Sequence, residues 1–175
     1  GQGFVIEPAV SLEEIAALPF ETQDGTPVTV GGLAGKPVLI SFIYTRCAIP
    51  NMCPLTTRNV ARVQAQLSEQ EREAIGIVSL TFDPEYDTGD VLKEYAQAHG
   101  ADLGSWQFWR GTTADTERLM SAFNAWAKEA GDEYAHNMRS AILRPDGALS
   151  RVLRDSTWDV DSAAAHLREL AAGSM

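Results

Sequence analysis

The sequence predicts an α/β fold, a central mixed sheet with helices on both faces. Two nearly unbroken apolar runs, residues 38–43 and 75–82, read as strands covered on both sides. Stretches with apolar residues near the 3.6 period lie between and after them. The alternation closes on Pro145-Asp146-Gly147, a turn signal between two apolar segments, so a terminal hairpin joins the alternating sheet. The chain has 175 residues, and a domain typically spans about 100–200. No internal repeat or Gly/Ser-rich linker divides it. Residues 1–175 therefore read as a single domain, with residues 1–18 as an N-terminal arm.

The elements follow in order. Leu12, Ile15, Ala16 and Leu18 suit a short turn of helix after Ser11. Residues 20–28 read as two short strands around Asp24-Gly25. The first central strand, 38–43, runs into a loop over residues 44–53. Pro54 then fits the first turn of a helix, where a missing N–H costs nothing. Leu55, Val60, Val63 and Leu67 give that helix its apolar stripe. The second central strand ends at Asp83-Pro84, and Thr88 or Asp90 caps a helix that stops at Gly100. Residues 106–109 make a short strand, with Trp106 and Trp109 as core rather than a binding platform. A further helix starts near Ala114 with Leu119, Met120, Phe123 and Trp126 on one side. Residues 131–136 read as a loop, 140–143 and 149–153 as the terminal hairpin, and a last helix starts near Asp159.

Charge narrows the partners. Lys and Arg number 14 and Asp and Glu 24, a formal charge of −10. A surface this acidic repels phosphate backbones, so nucleic acid is excluded as a partner, while cations and basic surfaces are favoured. With no polybasic cluster, anionic lipid is a poor partner too. Hydrophobic residues at 45% and charged residues at 22% exclude intrinsic disorder. No run of about 18 apolar residues is present. No signal peptide or lipid-anchor motif is visible, which fits either a cytosolic protein or a chain that begins after a removed segment.

Both cysteines, Cys47 and Cys53, fall just beyond the first central strand, where open α/β sheets place their sites. A structural disulfide closing this loop would contribute about 2 kcal/mol through lost unfolded-state entropy, but a domain of this size needs no such staple. Cys53 directly precedes Pro54, so it stands at a helix start, where the dipole favours a thiolate. Such a pair suits thiol–disulfide exchange or a soft metal such as copper(I) or zinc. A third ligand has to come from His99, His136 or His166, with Met52 and Met138 as thioether candidates. His166 inside the last helix and His99 beside Gly100 read as structural. His136 stands in a loop before a strand, open to either role. Met52 and Met138 read as packing residues. Asp83, Glu85 and Asp87 read as solvated surface, or as charges that tune a metal or meet a basic partner. Gly-rich phosphate loops, Gly-x-Ser-x-Gly and His-Glu-x-x-His are absent from the sequence.

The segment Gly35-Lys36-Pro37 through Tyr44-Thr45-Arg46-Cys47, then Met52-Cys53-Pro54, resembles the metal-site region of the Sco/SenC proteins. The resemblance continues through residues 82–88, 92–95 and 106–111, through Tyr134-Ala135-His136, and into the 141–147 turn. It extends from about residue 20 to 170. It implies a thioredoxin-like fold with an extra N-terminal hairpin and a C-terminal β-hairpin, and a copper site made of Cys47, Cys53 and His136. It also implies delivery of copper to, or reduction of the cysteines in, the dinuclear copper centre of cytochrome c oxidase. The partners implied are the subunit that carries this centre and another periplasmic copper chaperone. The location implied is periplasmic or otherwise extracytoplasmic, with a membrane contact only through a removed N-terminal anchor. One departure stands out: the family pattern has three residues between the cysteines and a Pro after each. Here five intervene, and Ala48 replaces the first Pro. A longer loop pre-organises its thiolates less, so weaker copper affinity or a shifted redox poise is expected, with Pro50 stiffening the loop. A thiol–disulfide oxidoreductase is the alternative activity, and a domain with a permanent disulfide a third.

Overall fold

The computed structural model describes residues 11–131 and 133–173. Positions 1–10 of the expected arm lie outside them. The rest of that arm forms helix α1 (Leu12–Ala17), whose start is capped by the Ser11 hydroxyl accepting the Glu14 N–H. Strands β1 (Phe20–Thr22) and β2 (Pro27–Val28) form the expected antiparallel pair. A single 3-10 turn at Val30–Leu33 leads into β3 (Val38–Ile43). The chain continues as α2 (Cys53–Gln66), α3 (Glu69–Ala74), β4 (Gly76–Thr81), α4 (Gly89–Ala98), β5 (Trp106–Arg110) and α5 (Thr113–Ala122). It ends with β6 (Ala127–Ala130), β7 (Glu133–His136), β8 (Arg139–Leu143), β9 (Leu149–Arg154) and α6 (Val160–Ala171).

Seven strands form one sheet in the order β2-β1-β5-β4-β3-β8-β9. β3, β4 and β5 run parallel, and β1 and β8 pair antiparallel with β5 and β3. All six residues of β3 are buried, which is why its sequence shows an unbroken apolar run rather than alternation. The register Val38↔Gly76 through Ile43↔Thr81 brings the carboxyl ends of β3 and β4 level. The loops that leave those two ends are therefore neighbours.

Successive residues of a strand face opposite sides, and the two sides of β3 meet different helices. On one side the Ser41 and Ser79 hydroxyls lie 3.0 Å apart, and Trp106 Nε1 donates to Ser79 Oγ at 3.0 Å. Helices α2, α4 and α6 cover this face, with the Thr57 and Tyr95 hydroxyls joining α2 to α4 at 2.7 Å. On the other side Phe42 stacks on Phe123 at the end of α5. Trp106, Phe108 and Trp109 are fully buried, so the 106–109 segment is core, as expected. The arrangement is a thioredoxin-like fold with the extra N-terminal hairpin and the terminal β8–β9 pair. Among the described residues, no helix is long and apolar enough to cross a membrane.

Three local expectations need correction. Helix α3 was not anticipated, although its start carries a complete capping box: the Ser68 hydroxyl accepts the Glu71 N–H, and the Glu71 carboxylate accepts the Ser68 N–H. Helix α5 stops at Ala122 because Asn124 takes a left-handed φ of 59°, a conformation asparagine tolerates at helix ends. Leu119, Met120 and Phe123 are buried as expected, but Trp126 lies past the helix and is 47% exposed. Residues 133–136, within the stretch expected as a loop, form β7 of the hairpin β6–β7, a separate two-stranded sheet in the register Ala127↔His136 to Ala130↔Glu133. Gly131 turns it with φ +68°.

Candidate metal centre

The segment that leaves β3 is fixed by carboxylates from the segment that leaves β4. Asp87 is fully buried and accepts the Thr45 N–H at 3.1 Å, the Thr45 hydroxyl, and the Thr81 hydroxyl at 2.5 Å. Burial raises its pKa against these bonds. Asp83 Oδ2 accepts Arg46 Nε and Nη2 at 3.0 and 2.8 Å, and its Oδ1 accepts the Tyr134 hydroxyl at 3.2 Å. The Arg46 guanidinium also lies 4.3 Å over the Tyr86 ring. Of the three acids, only Glu85 is exposed surface. Asp83 and Asp87 hold the loop that delivers Cys47.

Two turns shape that loop, with Cys47 N–H donating to Tyr44 O and Met52 N–H to Ile49 O. Cys53 then opens α2, with Pro54 next to it, where helix N–H groups have no partners to lose. Both cysteines are free thiols, Cys53 fully buried and Cys47 nearly so. His136 ends β7 and reaches them from the side. Its Nε2 lies 4.0 Å from Cys53 Sγ, and the ligand atoms of Cys47, Cys53 and His136 all lie within 4.8 Å of one another. Its Nδ1 lies 3.0 Å from the Asn137 carbonyl. A carbonyl only accepts, so Nδ1 carries a proton, and Nε2 is the nitrogen that faces the site, donating to the Cys47 thiolate while protonated and offering its lone pair once that proton is lost. Phe82 and Tyr44 flank the ring, with centroids at 5.0 and 5.6 Å from the imidazole, and Tyr134 packs on both of them in turn. This aromatic cluster attaches the β6–β7 hairpin to the ends of β3 and β4.

The two thiols share one proton easily and give up the second reluctantly. The Cys53 S–H beside it is the main cause that brings Cys47 down to about 4, with His136 adding to it against the cost of burial. Cys53 is pushed up, first by that neighbouring thiolate and then by burial. The helix start was expected to make Cys53 the thiolate. The negative charge instead sits on Cys47, because Cys53 is the more deeply buried partner and donates to it. Burial also raises Tyr44 and Tyr134 to about 12, so both phenols stay neutral beside the site.

Two sulfurs and an imidazole nitrogen at this spacing form a soft, three-donor set suited to copper(I) or zinc. Among the described residues it is the one His/Cys/Asp/Glu group with metal-binding geometry. The other residues named from the sequence lie elsewhere. His99 is the C-cap of α4 and packs against Tyr95 with the rings tilted by 46°, and His166 shares a 2.8 Å hydrogen bond with Ser150 on β9. Met52 packs against the core. Met138 is half-buried, and its carbonyl accepts from Arg139 and Asp155. Sequence reasoning gave no local role to Tyr44, Phe82 or Tyr134. The one readable signal was Tyr134-x-His136, two residues on the same face of a strand.

The SCO1/SenC family model matches residues 12–172. The SCO1 protein homolog of Bacillus subtilis is 30% identical over 146 residues, covering 81% of this chain and 72% of that protein. Among solved structures, BsSco, described as having a disulfide switch and as a member of the Sco family of cytochrome c oxidase assembly proteins, superposes with a TM-score of 0.75. It is 26% identical, with 88% of this chain and 91% of that chain covered. Copper-bound ScoI of Bradyrhizobium japonicum superposes with a TM-score of 0.73 at 24% identity, covering 87% of this chain and 96% of that chain.

Proposed function

The chain belongs to the SCO1/SenC family, and on that premise we propose that it binds one copper ion through Cys47, Cys53 and His136 and hands it to a recipient protein. The observation that carries this reading is the convergence of two sulfurs and the lone pair of Nε2 within 4.8 Å. Copper is cargo here, so the site has to release it as well as hold it. Three donors leave a copper(I) ion open to an incoming thiolate. Cys47 sits beside the exposed residues 48–51, so its bond is the one an entering ligand can replace first, with Cys53 and His136 retaining the ion until exchange is complete. The Nδ1–H bond to Asn137 fixes the imidazole in the ligating tautomer throughout.

The recipient proposed is the subunit that carries the dinuclear copper centre of cytochrome c oxidase, with another periplasmic copper chaperone as a donor. The description of BsSco as belonging to a family of oxidase assembly proteins supports this recipient. A domain facing outside the cytoplasm is proposed with it.

A second reading, thiol–disulfide exchange, is favoured by the unequal thiols. A Cys47 thiolate attacks a partner disulfide. Cys53 then loses its proton and attacks the Cys47 sulfur, which leaves the partner as a dithiol and this chain as the Cys47–Cys53 disulfide.

Mixing the copper(I)-loaded chain with a soluble metal-free copper-centre domain separates the two. Direct handover predicts that copper leaves this chain at a rate that rises with recipient concentration. Loss at a fixed rate, equal to spontaneous dissociation into a chelator, would contradict handover. Reduction of an oxidised recipient by the metal-free chain, with formation of the Cys47–Cys53 disulfide, would identify the second activity.

A further inference from the structure

Five residues separate Cys47 from Cys53, and residues 48–51 are exposed. Within the loop, one backbone bond, Met52 N–H to Ile49 O, makes a turn. It is also tied down from outside, by the turn that joins β9 to α6. The Ser156 hydroxyl donates to the Asn51 carbonyl at 2.5 Å, and the Ser156 carbonyl accepts Asn59 Nδ2 at 2.8 Å. Next to it, the Asp155 N–H donates to the Met138 carbonyl at 3.0 Å. Asn51 lies two residues before Cys53, Asn59 lies in α2 behind Cys53, and Met138 lies two residues after His136. One two-residue turn therefore touches the cysteine loop, the helix that carries Cys53, and the strand exit that carries His136.

The turn is built to be fixed. Ser156 and Asn59 are each 5% exposed. Asp155 takes a left-handed φ of 61°, which aspartate tolerates better than most residues. Together these bonds hold three separate chain segments at one point.

We propose that the Asp155–Ser156 turn is a clamp that keeps the cysteine loop in register with His136, and that Ser156 is a positioning residue for the metal site. The clamp offsets the looseness expected of the longer loop. This inference rests on the reading of Cys47, Cys53 and His136 as the copper site. Its test therefore includes a readout that needs no metal.

The variants are Ser156→Ala, which removes the hydroxyl, and Ser156→Thr, which keeps it. Asn59→Ala, which releases the same turn from the α2 side, is the further variant should Ser156→Ala not fold. The first readout is copper(I) affinity of the reduced full chain against a competing chelator. The second is the equilibrium of the metal-free chain with oxidised glutathione. In that reaction the two thiols give two electrons and two protons to one oxidised glutathione, which leaves as two reduced molecules, and the Cys47–Cys53 bond forms.

Ser156→Ala is expected to weaken copper(I) binding about tenfold, the lower end of what loss of an outer partner costs a metal site. It is also expected to lower the equilibrium constant for disulfide closure about fivefold, the worth of one hydrogen bond that pre-orders the loop. Ser156→Thr restores both to within about twofold on the same argument. Unchanged affinity and closure in Ser156→Ala overturn the clamp. So does a loss in both readouts that Ser156→Thr fails to restore, since the hydroxyl then is not what positions the loop. A wild-type chain that binds no copper defeats the proposed function alone, and the closure equilibrium still decides the clamp.

Discussion

Cys53→Ser leaves a folded protein that has lost copper(I) by more than about a hundredfold in affinity. Loss of an outer-shell partner alone costs a metal site about 10- to 100-fold, and Cys53 is a proposed ligand. Serine offers a hard oxygen where copper(I) prefers a thiolate. The fold survives because serine is close to cysteine in shape and its hydroxyl can still donate to the Cys47 thiolate, as the Cys53 thiol does. The helix start also stays intact, since Pro54 and the backbone of α2 are untouched. A chelator competition combined with a thermal melt checks both halves. An affinity within tenfold of wild type would remove Cys53 from the ligand set.

Trp106→Ala has its effect at the other end of the sheet, on stability. Trp106 is fully buried, stacks on Phe108 at 5.0 Å, and donates through Nε1 to Ser79. Truncating a buried Trp to Ala costs about 3–5 kcal/mol, through lost transfer energy and the cavity left behind. For a chain of this length that corresponds to a fall in Tm of roughly 6–20 °C. The hydrogen bond adds little to the loss, because Ser79 keeps its partner Ser41. Trp106 pairs with Ile77 near the amino ends of β5 and β4, whereas the cysteines lie beyond a carboxyl end. The copper affinity of the protein that remains folded is therefore expected to stay at the wild-type value. Urea unfolding measures the first effect, and a loss under 1 kcal/mol would mean that the indole is not the core element its burial indicates.

The contrast between these two sites shows which features a sequence reveals. The runs at 38–43 and 75–82 could be read because strands buried on both faces must be apolar at every position. The cysteine pair could be placed because it follows one of those runs. The parallel pairing of β3 with β4 brings residues 83–87 beside the cysteine loop. The role of Asp83 and Asp87 could not be read, because an acidic turn has the same composition whether its carboxylates face water or fold back onto Thr45 and Arg46.

His136 shows a different limit. The β6–β7 hairpin that presents it has little apolar alternation, and the Ala-Lys-Glu-Ala of β6 is as suited to helix as to strand. Its position comes from tertiary contacts, through Tyr134 to Asp83 and through the aromatic cluster with Tyr44 and Phe82. Those contacts join residues about 50 to 90 positions apart, and no local pattern encodes them. The resemblance to a known family supplied His136 where spacing left it open. Ser156 had no signal of either kind. Its role exists only because the β9–α6 turn passes the Cys47–Cys53 loop in space.

The measurement that tests the account most directly is X-ray absorption at the copper edge of the reduced protein loaded with one equivalent of copper(I). The account predicts saturation at one ion per chain, with two sulfur neighbours and one imidazole nitrogen around it, and loss of the imidazole scattering in His136→Ala. A copper ion bound by fewer than two sulfurs, or an unchanged nitrogen shell in His136→Ala, would contradict a site made of Cys47, Cys53 and His136.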